Sequence, residues 1–148
     1  MSNPPKLPTD LREQVRQRAN YLCEYCHTSE RWQYVRFTMD HVVPTLKGGG
    51  ENFENLALAC FHCNRRKSSN QTATDPETSE VVSLFNPRLQ LWSEHFTWSA
   101  DGLFVMPRTA SGRATVVLFQ LNRERIVEIR RADVEARRHP PEGDPVKR

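Results

Sequence analysis

The chain has 148 residues, 37% of them apolar and 26% charged, with a formal net charge of +3. That is one domain's worth of protein with room for a small appendage, and no apolar run approaches the ~18 to 20 residues needed to span a bilayer. The mild positive charge permits nucleic-acid binding without requiring it. The modest apolar share makes a staple such as a structural metal expected.

The start, MSNPPKLPTD, carries three prolines and lacks the apolar core of a secretory signal. Residues 1–9 are therefore expected to be disordered and the protein cytoplasmic. In a reducing cytosol four cysteines suit metal better than disulfides. From Asp10 the text reads DLREQVRQRAN, with Asp10 as the expected cap and Glu13 at the capping-box offset. Leu11, Val15 and Ala19 then repeat along one helix face. The helix delivers the chain to CEYC. YVRFTMDHVVP, rich in β-branched and aromatic residues, predicts a strand ending at Pro44. KGGGEN predicts a wide turn, FENLALAC a short return strand, and FHCNRRKSSN a helix. Residues 70–83 are polar, hold Pro76 and are expected as a linker. In the block from 84 to 138, EHFTWS and GLFVM suggest a hairpin turning at Asp101-Gly102. GRATVVLFQL and NRERIVEIRRADVEARR follow as helices, the second capped by Asn122. Residues 139–148, HPPEGDPVKR, are expected as a flexible tail.

The cysteines form two C-x2-C pairs, Cys23/Cys26 and Cys60/Cys63, with 33 residues between them. Zinc favours four tetrahedral ligands, and two such knuckles supply a closed structural site. Here the ion would clamp the two ends of an inserted unit. Four buried free thiols are the plainer alternative. His27 and His62 are possible substitute ligands, but each cysteine pair already fills itself.

Inside the clamp lies MDHVVPTLKGGGENFENLALACFHCN. Metal-assisted phosphodiester hydrolysis needs hard oxygen ligands for a divalent ion, a base for water, and a group that orients the base. Asp40 and Asn64 offer the oxygens and His41 the base. Asn55 is a candidate to fix the imidazole through its side-chain or backbone carbonyl. Taken singly, each has an ordinary reading: a turn carboxylate, a structural histidine, a loop amide, an N-terminal helix residue. Neighbours in a regular strand point to opposite faces, so Asp40 and His41 can serve one phosphate only if the strand twists or ends there.

The ordered pattern C-x2-C…DH-x2-P…GG…NL…C-x2-CN-x2-K resembles the HNH endonucleases, in their zinc-bracketed form, over roughly residues 20 to 68. The resemblance implies an α+β fold with a ββα-metal core at 10–69 and a structural four-cysteine zinc site, followed by a small C-terminal β-hairpin/helix extension. It implies a structural Zn2+ on Cys23, Cys26, Cys60 and Cys63, and a catalytic Mg2+ or Mn2+ on Asp40 and Asn64. His41 becomes the general base, with Asn55 completing the catalytic set. The family's last histidine is replaced here by Asn64, and a neutral amide oxygen suits magnesium or manganese. DNA is the implied partner, with RNA as an alternative of the same phosphate chemistry and no membrane. Lys47, Arg65, Arg66 and Lys67 are the candidate phosphate contacts, although a solvated helix face explains Arg65 and Arg66 as well. A homodimer would place two sites on opposite strands.

The C-terminal block resembles an extension of unassigned role on bacterial HNH proteins. Trp92, Phe96, Trp98, Phe104 and Phe119 could stack bases, but core packing explains them more simply. A non-catalytic, zinc-stabilised nucleic-acid-binding or interaction module is the competing reading of the whole chain. The intact set Asp40, His41, Asn55 and Asn64 separates the two, since a binder has no need of it.

Overall fold

Helix α1 covers Thr9–Arg18 in a computed structural model that describes residues 8–144. Pro8 holds the N-cap position without a side-chain bond, so Asp10 is not the cap but sits in the first turn. Its charge there still complements the positive end of the helix. Glu13 likewise closes no capping box and instead accepts a 2.6 Å hydrogen bond from the Tyr21 hydroxyl. Val15 and Ala19 are buried, as their spacing predicts. Of the start expected to be disordered, residues 1–7 lie outside the described residues.

Strands β1 (Thr38–His41) and β2 (Leu56–Ala59) form an antiparallel hairpin with Thr38 opposite Ala59 and His41 opposite Leu56. β1 is shorter than its apolar text suggests, because residues 34–36 are exposed and pair with nothing in the sheet. It ends at His41, where the Val42 N–H turns to the carbonyl of Asn55 at 2.9 Å. All four residues of β2 are buried. Helix α2 (Phe61–Lys67) follows at once, capped by Cys60, whose sulfur accepts from the Cys63 N–H at 3.4 Å. Hairpin and helix together make the ββα unit.

Residues 70–83, expected as a linker, contain a second hairpin, β3 (Thr72–Thr74) against β4 (Val81–Ser83). Asp75 explains it. This buried carboxylate accepts from the Glu77 N–H at 3.1 Å and the Thr78 hydroxyl at 2.9 Å, closing the turn. It also accepts both arms of Arg113 at 2.9 and 2.8 Å. Such bidentate pairs combine strength with fixed orientation.

After a four-residue helix α3 (Trp92–His95), the predicted hairpin appears as β5 (Phe96–Trp98) and β6 (Val105–Pro107). Helix α4 (Ala110–Phe119) is capped by Thr109 and α5 (Glu124–Glu135) opens after Arg123. Asn122 does not cap α5. Its side chain accepts from the Val105 N–H at 2.7 Å and donates to the Val105 carbonyl at 2.8 Å, extending the edge of β6. Of the expected tail, residues 145–148 lie outside the described residues, while 139–144 return to the body. His139 stands edge-on to Trp98 with ring centroids 4.5 Å apart, and the buried Asp144 carboxylate bonds His27 and the Trp98 indole.

One apolar cluster runs through both halves, joining Val15, Tyr25, Leu56 and Leu58 to Phe85, Trp92, Phe96 and Phe119. The Trp92 indole donates to the carbonyl of Tyr25 at 2.9 Å, and Arg88 pairs with the buried Glu24 inside the first cysteine knuckle. Trp92, Phe96 and Phe119 are therefore core, not stacking platforms. Among the described residues no helix is long and apolar enough to cross a membrane.

Candidate active site and metal centre

The first cysteine knuckle lies between α1 and the turn at Glu30, and the second caps α2, so the core brings both to one point. The four sulfurs of Cys23, Cys26, Cys60 and Cys63 all lie within 4.8 Å of one another, with Cys26 and Cys60 3.9 Å apart. A tetrahedron with Zn–S bonds of ~2.3 Å has edges of about 3.8 Å. No disulfide joins them. The thiols share their protons unequally. Hydrogen bonds from Cys23, Cys60 and Cys63 hold Cys26 well below the ordinary thiol range, while burial drives Cys23 well above it. A buried cluster that stabilises thiolate in this way fits a soft cation, and the set fits zinc.

The cleft lies on the other side of α2. Met39, Asp40, His41, Pro44, Asn64 and Ser68 border an open space of about 320 Å³. The β1 register explains how. Thr38 and Asp40 share the strand face toward α2, where Asn64 and Lys67 stand one turn apart. Asn64 donates through Nδ2 to the Thr38 hydroxyl at 2.8 Å, and Thr38 in turn donates to the Ala59 carbonyl at 3.0 Å. With Nδ2 committed, Oδ1 is the heteroatom of Asn64 left for a ligand. His41 is the last residue of β1, so the alternation that would send it away from Asp40 ends where it sits.

Asp40 is held from behind. The Tyr25 hydroxyl donates to Oδ2 at 2.5 Å, and the Lys67 ammonium donates to Oδ1 at 3.2 Å and to the His41 carbonyl at 3.0 Å. Burial, reinforced by the Asp40 charge, pushes the Tyr25 phenol well above its ordinary range and keeps it a donor. Asp40 and Lys67 are each 3% exposed, a neutral buried pair. Lys67, expected among the phosphate contacts, is thus a wall residue below the surface. Each carboxylate oxygen keeps a second lone pair, so Asp40 with Asn64 still fits one hard cation.

The role expected of Asn55 also changes. Its side-chain hydrogen bonds go to the loop backbone and not to the imidazole. Its Oδ1 accepts from the Val43 N–H at 2.9 Å, and its Nδ2 donates to the carbonyls of Val43 at 3.0 Å and Gly50 at 2.9 Å. Asn55 therefore locks the loop that leaves His41. What faces His41 is Glu51, whose Oε1 lies 3.5 Å from a buried Nε2 that has no hydrogen-bond partner. Sequence reading passes over Glu51, Tyr25 and Thr38. The glycine run next to Glu51 and the position of Tyr25 inside the knuckle are the only available signals.

Of the remaining cations, Lys47 donates to the Ser69 carbonyl at 3.0 Å, bridging two lips of the cleft. Arg66 donates to the Leu118 carbonyl at 2.8 Å, tying α2 to α4, and Arg65 is exposed. His62, outside the zinc set, lies 3.0 Å through Nε2 from the Phe119 carbonyl. Burial, with Arg123 adding to it, lowers that imidazole below its usual range.

Residues 23–70 match the family model described as HNH endonuclease. No curated protein and no solved structure matches the chain. The matched span begins at the first zinc-type cysteine, ends just after α2 and contains every residue of the cleft. With the buried four-cysteine cluster and the antiparallel hairpin leading into α2, residues 23–70 are an HNH endonuclease domain, zinc-bracketed in architecture and set in a mixed α+β fold.

Proposed function

We propose that the chain is a metal-dependent endonuclease that hydrolyses DNA phosphodiester bonds at the cleft between β1 and α2. The observation that carries this reading is the convergence of Asp40, His41 and Asn64 on one open space inside the family domain. His41 is the general base. Its Nε2 is buried toward Glu51, while 26% of the side chain remains exposed, which leaves Nδ1 as the nitrogen to take the proton of an attacking water. Lys67, through the His41 carbonyl, and Asn55, through Val43, hold the backbone at and just after that base. Asp40 and Asn64 would hold a magnesium or manganese ion, whose chemistry when bound is to stabilise charge on the phosphate oxygens and the leaving 3′-oxygen. Lys47, which bonds the Ser69 carbonyl at the cleft lip, and the exposed Arg65 are the cations assigned to flanking phosphates in this reading. Zinc is structural, since four thiolates leave no open position for water.

The Asp40–Lys67 pair also suits a second reading, a nucleic-acid-binding module whose cleft is not used for chemistry, because it gives the carboxylate a structural occupation. Incubation of supercoiled plasmid with purified protein separates the two. Nicking is expected with magnesium or manganese and abolished by EDTA, and His41→Ala should lose about 10²- to 10⁴-fold in rate. Retarded plasmid that is never nicked under any divalent ion would establish the binding module instead, and equal nicking by His41→Ala would overturn His41 as the base and this cleft as the cutting site.

A further inference from the structure

Beside the second cysteine knuckle, separate from the cleft, a further open groove of about 340 Å³ is lined by Tyr34, Val35, Arg36, Phe61, His62 and Arg123, among others. Tyr34 is fully exposed, and Val35 and Phe61 are 69% and 67% exposed. Single apolar residues on a surface are ordinary, but three together on one groove call for an occupant. Among the described residues no carboxylate lines this groove, and its charges are Arg36 and Arg123. Flat aromatic surface with guanidinium groups and no acid matches a nucleotide, a π-face joined to a phosphate.

Its position points the same way. Phe61 and Asn64 are three residues apart on α2, so they share a helix face about 4.5 Å apart along the axis. On the strand side Phe37 lines the groove and Met39 the cleft, with Thr38 between them. A nucleic-acid strand rises about 3.4 Å per nucleotide in a duplex, so the axial step from Phe61 to Asn64 is of the order of one nucleotide. Resting on the nuclease reading above, we propose that the groove is a subsite for an unpaired nucleobase adjacent to the cut, stacked on Phe61 and Tyr34 with Arg123 toward its phosphate. In a duplex both faces of a base are covered by its neighbours, so only a base outside the stack can fill an aromatic wall. A second copy of the chain is the weaker occupant, because a two-fold contact would set this cationic groove against itself.

The test is binding of a fluorescently labelled oligothymidylate of about 12 nucleotides to the zinc-loaded full chain carrying His41→Ala, which prevents cutting. Phe61→Ala and Tyr34→Ala should each weaken single-strand binding about 5- to 100-fold, Phe61→Trp should retain it, and affinity for a blunt duplex should stay unchanged. Zinc content and melting temperature matching the parent certify the fold. Tyr34, on a loop distant in sequence from the second knuckle, keeps the test decisive if Phe61→Ala misfolds. Unchanged oligonucleotide affinity in both alanine variants, equal loss on single strand and duplex, or a wild-type chain that nicks plasmid while its His41→Ala form binds no single strand would each overturn the subsite alone. So would a concentration-dependent dimer abolished by Tyr34→Ala, which would assign the groove to a second copy. Failure of the wild-type chain to nick plasmid would overturn the nuclease reading instead.

Discussion

At the scale of single residues, the site is organised by one buried ion pair. Lys67 reaches from the last turn of α2 to Asp40 on β1, so it both neutralises the carboxylate and fixes the distance between strand and helix. Removing one partner leaves a buried charge without compensation, at a cost of about 3–5 kcal/mol. Lys67→Met should lower stability by that amount in urea denaturation, and adding Asp40→Asn should recover much of the loss, since both charges are then gone. If the double variant is no more stable than Lys67→Met, the pair is not the origin of the effect. The same geometry explains why Lys67 reads as a phosphate contact in the sequence and is not one in the fold. Sequence shows a lysine in a basic run, and only the turn of α2 decides that it points inward while Arg65 points out.

At the scale of elements, the loop between β1 and β2 sets where His41 stops. A Cβ on Gly49 would lie 1.7 Å from the Val43 carbonyl oxygen and 2.8 Å from Asn55 Nδ2, so Gly49→Ala must break the amide clamp. At Gly48, with φ +90°, a Cβ would meet nothing within 4 Å, and alanine there incurs only backbone strain of about 1–2 kcal/mol. Gly49→Ala should therefore reduce both melting temperature and nicking far more than Gly48→Ala. Equal effects would mean that the clamp does not hold the loop. The knuckles behave as an element too. Cys63→Ser removes one ligand and the residue packed at the start of α2, so zinc content should fall from about one per chain and the cooperative thermal transition should go with it. A variant that loses zinc yet melts like the parent would show that the apolar core alone suffices.

At the scale of the whole molecule, the C-terminal block is fastened to the HNH domain by shared core and by buried charge. Asp75 on the β3–β4 turn grips Arg113 on α4, and the guanidinium holds this carboxyl well below the usual carboxylate range. A depressed folded-state pKa contributes stability above the unfolded value of about 3.9 that is lost as pH falls through the folded value. The melting-temperature deficit of Arg113→Ala should accordingly be full at pH 7 and shrink below about pH 4. A deficit that stays constant down to pH 2 would assign it to packing of the arginine stem rather than to the ion pair.

The sequence by itself determined the two cysteine knuckles, the order of Asp40, His41, Asn55 and Asn64, and the packing of Trp92, Phe96, Trp98 and Phe119 in or against the core, though not the exposure of Phe104. These are encoded in spacing, residue chemistry and alternation, all of which are local. Tertiary structure alone decided that Asp75 turns a polar stretch into a hairpin, that Asn55 serves the loop and not the imidazole, and that Glu51 faces His41. Asn55 and Glu51 meet partners 12 and 10 residues away, and Asp75 joins its local turn to Arg113, 38 residues on; a short-range pattern carries no record of which distant group a polar side chain will meet. The same reason explains the groove of Tyr34 and Phe61. Two aromatic residues without a signal of their own in the sequence become neighbours only once both cysteine knuckles are folded around one point.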